Sequence, residues 1–374
     1  MAQVTGLEGV VAADTDIALV DGEQGKLIYR GIPANQLAVR HTYAEAAHLL
    51  WHGGRPDANR DAAAQTERRL ADKRELSEDL RAMLDALPLQ MPMMAVLQSA
   101  VAAFRQKAPD TGHWPPTVEQ AERITAAMPT IIAHHARRQA RLEPLAPDPE
   151  LGHTANYLYM LTGQRPAAVH VRALDAYFIL CMEHGLNAST FAARVILSTQ
   201  ADLYAAVSGA IGAMKGPLHG GAPYEVIAML EQIGTAERAE SWLRELLERG
   251  GRIMGFGHRI YRTQDPRAQA LREVTAALVG DDPAFALALH VEETALRLLA
   301  HYKPGRRLYT NVEFFAAAVL RALQLPPELF TPTFTAGRIV GWTAHALEQA
   351  RVNRIFRPQS RYTGPLNEQD TPPS

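Results

Sequence analysis

Met254-Gly-Phe-Gly-His-Arg-Ile-Tyr-Arg-Thr-Gln-Asp-Pro-Arg267 is the stretch around which the chain is organised. It reads as a loop running into a helix start. Two glycines bracket Phe256 and His258 follows at once; glycine opens backbone angles closed to other residues and lets a ligand approach the main chain. Asp265-Pro266 then reads as an N-cap with proline in the first helical position, where its missing N–H costs nothing. Arg267 therefore falls in the first turn, where the helix dipole disfavours a cation. A local rule broken at such a spot often marks a site. The simplest compensation is an anion held by Arg267 and the free amides of that turn. The plainer alternative is a surface arginine beside an ordinary capped helix.

Outward from this stretch the same loop-to-helix pattern recurs. Towards the amino end, Thr42-Tyr-Ala-Glu45 is a capping box opening a helix that Gly53-Gly54 closes. Helices are predicted over 59–73, 77–86, 91–104, 117–139, 156–161, 169–183, 187–200, 202–214, 223–233 and 236–249. Past Arg267, Asp265-Pro266 and Asp282-Pro283 start helices ending near Val279 and His301, and two more cover 311–323 and 333–351. The β candidate is Gly9–Gly31, with a hairpin turning at Asp21-Gly22. The tail after Gly364 reads as disordered. The fold expected is all-α with one small amino-terminal hairpin.

The length of 374 residues suggests two lobes or domains. Apolar residues at 47% and charged residues at 21% fit a soluble globular chain, and a net charge of −2 argues against nucleic acid as the main partner. No apolar run is long enough for a bilayer and no secretory signal opens the chain, so the expected location is the cytoplasm. Cys181, the single cysteine, reads as a small core residue.

Several residues could do chemistry. His219, in Lys-Gly-Pro-Leu-His-Gly-Gly-Ala-Pro, directly precedes a helix, whose positive end favours neutral imidazole; a neutral imidazole can hydrogen-bond a carbonyl and stabilise an enolate. The alternative is a buried histidine satisfied by loop carbonyls. His184 lies at a junction where Gly185 ends one helix and Asn187 caps the next, which on its own suits a capping-region histidine. Glu313 is an acid in the first turn of an apolar helix, where favourable dipole interaction is the simpler explanation. Arg338 interrupts a mostly apolar helix, and a buried guanidinium requires an anion, from a side chain or a ligand. Arg357 by itself passes for a surface residue. His48 and His52 have metal-compatible spacing without a third ligand, and His134-His135-Ala-Arg137-Arg138 reads as a solvated helix end.

Taken together these stretches resemble citrate synthase, along nearly the whole chain. The likeness runs from Gly-Leu-Glu-Gly-Val-Val-Ala and Gly-Lys-Leu-Ile-Tyr-Arg-Gly through His-Gly-Leu-Asn-Ala-Ser-Thr and Gly-Pro-Leu-His-Gly-Gly-Ala. It continues with the 254–267 stretch, Asn-Val-Glu-Phe and Gly-Arg-Ile-Val-Gly-Trp-Thr-Ala-His, and ends with Arg-Pro-Gln-Ser-Arg-Tyr-Thr-Gly. It looks like the short bacterial and archaeal branch that also contains 2-methylcitrate synthases. The resemblance implies an all-helical homodimer, with a large domain of residues 1–219 and 326–374 and a small domain of 220–325 that closes on substrate. It implies condensation of acetyl-CoA with oxaloacetate and hydrolysis of the citryl thioester, with no metal and no tightly bound cofactor, acyl-CoA being a cosubstrate. On matching positions, His219, His258 and Glu313 would be catalytic. His184, Asn187, Arg267, Arg338 and Arg357, the last reaching across the dimer, would hold oxaloacetate. Gly255, Phe256, Gly257 and Arg262 would face coenzyme A.

One position departs from the family. Its usual base is aspartate, and here the residue is Glu313, whose extra methylene moves the carboxylate by roughly 1.5 Å. A misplacement near 1 Å can cost about a hundredfold in rate. Compensation by the helix that carries Glu313 is the reading preferred, since glutamate keeps the acid–base chemistry. Two alternatives stand: a 2-methylcitrate synthase using propionyl-CoA, and a non-catalytic relative that binds di- or tricarboxylates.

Overall fold

The computed structural model describes residues 6–7, 9–54, 56, 60–104, 114–220, 222–258, 260–276 and 283–364. The chain opens with an antiparallel sheet of β1 (Ala18–Asp21), β2 (Lys26–Tyr29) and β3 (Ile32–Pro33), in that order. The expected hairpin is there; the two-residue third strand is an addition, carrying the chain straight into the first helix.

Among the described residues the remaining regular elements are helices, apart from an isolated bridge between Phe256 and Thr310. The first helices are α1 (Ala34–Arg40), α2 (Tyr43–His52), α3 (Arg60–Asp72), α4 (Glu78–Ala86), α5 (Met93–Ala102) and α6 (Val118–Gln139). There follow α7 (His153–Thr162), α8 (Ala168–Met182), α9 (Ala188–Ser198) and α10 (Leu203–Met214). The last are α11 (Ala222–Ile233), α12 (Ala236–Glu248), α13 (Pro266–Thr275), α14 (Pro283–Tyr302), α15 (Val312–Ala322) and α16 (Phe330–Arg351). The starts obey local chemistry. Thr42 and Thr117 each form a full capping box, and Ser77, Asn187, Asp202 and Asp265 accept a backbone N–H as N-caps. Gly53, at φ 75°, closes α2 as expected.

Some boundaries differ. α7 begins at His153, before the expected Asn156, because Gly152 gives its start, and α16 begins at Phe330, with Pro332 tolerated in its first turn. α13 ends at Thr275; Val279, Asp282 and the tail after Gly364 lie outside the described residues. The His134–Arg138 segment is not a solvated end. His135 is fully buried, His134 bonds Asp85 (2.8 Å), and Arg138 donates to the carbonyls of Leu84 and Asp85 at the end of α4.

The core centres on α8 and α16. Every residue from Ala173 to Met182 is buried, and α16 is buried along most of its length. Their close approach needs glycine: a Cβ on Gly337 would lie 3.0 Å from the Phe178 ring, and one on Gly341 only 2.3 Å from the Met182 carbonyl oxygen. The cysteine at 181 is buried in this core, as expected. Helices α11, α12, α14 and α15 pack mainly on one another, whereas α13 packs on α1 and α8 as well as on α15, and α15 also meets α8. No helix among the described residues is long and apolar enough to cross a membrane.

Candidate active site

Three loops meet beside the carboxyl end of α8. Tyr29 of β2 holds that end: its hydroxyl donates towards the carbonyls of Ile179 (3.0 Å) and Glu183 (2.9 Å). Val20 of β1 packs where a Cβ on Gly185 would lie 3.2 Å away, so the sheet also fixes the His184–Gly185 turn, where Gly185 adopts φ +61°. At the hairpin tip, a Cβ on Gly22 would stand 2.3 Å from the Ile260 carbonyl oxygen, and that glycine's own carbonyl accepts from Arg262 N (2.8 Å). The small sheet thus braces both the His184 and the His258 loops.

His258 is held by its backbone. Nδ1 accepts from the amides of Ile260 and Tyr261, each at 3.0 Å, which leaves the ring proton of the neutral form on Nε2. Burial, and then the charge of Arg267, push its pKa down to about 4. Nε2 faces Arg267 Nη2 at 3.1 Å, and His184 meets the His258 ring edge-on at 5.8 Å. His184 bonds the Tyr261 hydroxyl (3.1 Å); burial, Arg267 and Arg338 press it well below its ordinary pKa.

Arg267 is buried, and its anion is Asp265 rather than a ligand alone. The carboxylate takes Nε at 3.0 Å and Nη2 at 2.9 Å, so the N-cap also compensates the misplaced cation. Burial works against the Arg267 charge, but Asp265 more than restores it, raising the pKa. The same carboxylate accepts from Val312 N (3.1 Å), tying the start of α13 to that of α15, where Glu313 sits.

His219 places Nε2 2.8 Å from Ser189 Oγ, which accepts from Trp342 Nε1 (3.0 Å) and lies 2.7 Å from Asn187 Oδ1. Its pKa is pushed down to about 4 by burial first and Arg338 second, so the neutral imidazole expected from the helix start arises here mainly from desolvation. Arg338 is buried on α16. Nε donates to the Cys181 carbonyl (2.5 Å), one of the unpaired carbonyls at the end of α8, and the guanidinium lies 4.8 Å over the Phe334 ring. Among the described residues it forms no ion pair, and burial depresses its pKa against the pull of Glu183.

Glu313 occupies the first turn of α15. Burial raises its pKa, against the charge of Arg267, and Oε2 is buried without a hydrogen-bond partner. It shares a narrow cavity of about 30 Å³ with His219, Gly220, Tyr177, Cys181, Val312, Ala316 and Phe334. A larger cleft of about 480 Å³ ends on Phe256, Gly257 and His258.

Residues 6–359 match the family model described as citrate synthase, C-terminal domain. The chain belongs to the citrate synthase family. It is 38% identical over 377 residues to the citrate synthase of Haloferax volcanii, covering 98% of this chain and 97% of that one. It is also 38% identical to the 2-methylcitrate synthase of Mycobacterium tuberculosis, over 96% of this chain and 90% of the relative. The crystal structure of citrate synthase from Thermotoga maritima superposes with a TM-score of 0.83, at 38% identity and 98% coverage of both chains. The all-α expectation with its small amino-terminal sheet therefore stands, and the chain is an enzyme of this family.

Not every residue carried over from the citrate synthase resemblance lies in the cleft. Asn187 is occupied as the α9 cap: Oδ1 accepts from Ser189 N and Thr190 N, and Nδ2 donates to Gly185 O. Arg357 is exposed on the extended segment after α16, its Nη1 donating to the Pro358 carbonyl (3.3 Å). Arg262 is exposed, and Gly255 uses its carbonyl to accept from Asn311 N (2.9 Å) at φ +83°. Conversely, the larger cleft is rimmed by Arg252, Lys303 and Arg306, which were not singled out in the sequence. The only signal for them was a basic residue beside a glycine turn, Gly250-Gly251 and Pro304-Gly305, too common to choose from. Ser189 and Tyr177 were missed for the same reason, being ordinary helix residues. His48 bonds Thr66 Oγ1 (3.0 Å) and packs against the tilted ring of His52, a structural arrangement.

Proposed function

We propose that this chain condenses acetyl-CoA with oxaloacetate and hydrolyses the citryl thioester, as a homodimer in the cytoplasm. The observation that carries the reading is Arg338, a buried guanidinium with no carboxylate partner among the described residues, beside imidazoles held neutral by burial. A buried cation without an anion is costly, and a dicarboxylate supplies what is missing. Arg338 and the outer edge of Arg267 would take the two carboxylates, with Arg357 of the partner copy closing the site from its exposed segment. The cationic cleft, with Arg252, Lys303 and Arg306 around Leu247, Ile253, Phe256, Leu299 and Leu308, suits the phosphates and apolar arm of an acyl-CoA.

The chemistry follows from the hydrogen bonds. Glu313 removes a proton from the acetyl methyl group, and the electron pair moves onto the thioester oxygen. His219 stabilises that oxygen. Ser189 Oγ, 2.8 Å from Nε2, holds the imidazole by that edge and leaves Nδ1 as the nitrogen free to face the thioester. As the thioester C=O re-forms, its alpha carbon attacks the ketone carbon of oxaloacetate, and the new alkoxide, stabilised by the hydrogen bond of His258 Nε2–H, takes a proton from water to become the product hydroxyl. Water then attacks the thioester carbonyl and expels the CoA thiol. The division at residues 220 and 325 would let the α11–α15 unit close over this site and exclude water from the thioester.

The test is CoA-thiol release with acetyl-CoA and propionyl-CoA, with and without oxaloacetate. Oxaloacetate-dependent release, faster with acetyl-CoA, is expected. A clear preference for propionyl-CoA would replace the reading by 2-methylcitrate synthesis, which one methylene in an apolar pocket separates by only about 1–3 kcal/mol. No release with either acyl-CoA would leave the non-catalytic dicarboxylate binder.

A further inference from the structure

The narrow cavity beside Glu313 contains a second poorly satisfied polar atom. Tyr177, on α8, is buried and its hydroxyl has no nitrogen or oxygen partner, only the nearby Cys181 thiol, while Glu313 Oε2 on α15 has no hydrogen-bond partner at all. Both side chains line the same cavity of about 30 Å³. Buried polar groups are almost always paired, so an orphaned acceptor and a donor left with only a thiol, both lining one small space, need an explanation. The Cys181 thiol, one helical turn from Tyr177, is a poor substitute: it is a weak partner, and burial pushes its pKa up to about 12, keeping it protonated. The two atoms do not bond each other directly, but a single water, which such a volume can hold, would join this donor to that acceptor. We propose that Tyr177 is a positioning residue for the Glu313 carboxylate, its hydroxyl donating through a bridging water to Oε2 and fixing where the longer side chain presents its base. This rests on the proposed condensation and answers the puzzle of the extra methylene: a glutamate that reaches towards α8 needs a donor there.

The groups facing Glu313 are few and can be separated. Arg267 comes from α13 and Asp265 from its N-cap, Tyr177 and Cys181 from α8, and His219 from the loop before α11. A hydrogen bond to the charged form of a carboxylate holds its pKa down, and losing it lets the pKa rise. Activity that needs the ionised base is then lost at a higher pH on the acid side.

The experiment is Tyr177→Phe, which deletes one oxygen and keeps the ring. The expected result is a fall in kcat of about tenfold, a typical loss for a hydrogen bond to a charged group. The KM values for oxaloacetate and acetyl-CoA should stay within about twofold, and the acid limb of the pH–rate profile should move up by roughly one unit. In a Glu313→Asp background the shorter carboxylate no longer reaches, so Tyr177→Phe should have little further effect. Unchanged kcat and pH profile in Tyr177→Phe would overturn the proposal, as would fully additive losses in the double variant. If the variant loses kcat with an unmoved pH profile, the role is structural and the proposal also fails. Absence of oxaloacetate-dependent CoA release in the unmodified protein would instead sink the proposed reaction.

Discussion

Arg194 and Arg338 lie on α9 and α16, two helices in contact, and the fold treats them in opposite ways. Both are buried, at 1% and 2% exposure. Arg194 is enclosed by partners: Nη1 donates to Glu348 Oε2 (2.6 Å) and to His345 Nδ1 (2.8 Å), and Nε to Gln349 Oε1 (3.0 Å). The network continues from Glu348 to Thr15 and Asp16 N, and from His345 to Glu183 Oε1 (3.1 Å). Arg338 has one carbonyl and one aromatic face. Taking a guanidinium out of water is repaid only by an anion and hydrogen bonds, so the closed network belongs to stability and the open one awaits a ligand. Where the two regions touch, Glu183 shows both characters: Oε1 is bonded to His345 and Gly185 N, while Oε2 is buried without a partner.

The sharpest way to break this contrast is to remove the base. Glu313→Gln is expected to lower kcat by about 10²–10⁴-fold, the usual range for general acid–base catalysis, while oxaloacetate binding measured by calorimetry persists. A variant retaining most of its rate would show that the orphaned carboxylate is not the base. Next come the two arginines, compared directly. Arg194→Met strands Glu348 and His345 and should cost on the order of 3–5 kcal/mol in denaturant unfolding. Arg338→Met removes an unpaired charge and should leave stability nearly unchanged. Its effect belongs in binding, with oxaloacetate affinity down by about 10–100-fold, the loss of one charge-assisted pair. Equal destabilisation by both substitutions would erase the distinction between structural and ligand-directed burial.

How much of this was legible in the sequence depends on the range of the physics. The caps at Thr42, Ser77, Asp202 and Asp265 act within a turn, and the helices they open start where local chemistry says. The Asp-Pro start before Arg267 was read correctly, but its consequence was not: the same Asp265 neutralises the arginine through a side-chain fork no spacing rule specifies. The burial of Arg338 was foreseen from its apolar helix, whereas its lack of a carboxylate partner is a tertiary fact. The neutrality of His219 was expected for a local reason, the helix start, and arises from burial and Arg338. The cationic rim of Arg252, Lys303 and Arg306 is assembled from two distant turns, and α7 and α16 begin earlier than expected, one after Gly152 and the other through a proline tolerated in the first turn.

Asp175 gives the smallest and most specific test, because it is a buried charge of a third kind. It has hydrogen bonds, from Thr154 Oγ1 (2.6 Å) and Tyr43 N (3.3 Å), but no ion pair among the described residues. Burial pushes its pKa up to about 6, the two hydrogen bonds acting the other way. The folded protein therefore binds a proton here that the unfolded chain, with an ordinary aspartate, releases near pH 4. Stability from this group is fully present below that value and is lost as pH rises through about 6. Asp175→Asn keeps the accepting oxygen and abolishes the titration. Its unfolding free energy relative to the unmodified protein should thus climb between about pH 4 and pH 7, by on the order of 2 kcal/mol. Denaturant midpoints at a series of pH values measure this difference while cancelling every other titrating group. A difference that stays flat would mean that Asp175 keeps its charge at little cost, and that hydrogen bonds alone can stand in for the ion pair that Arg338 lacks.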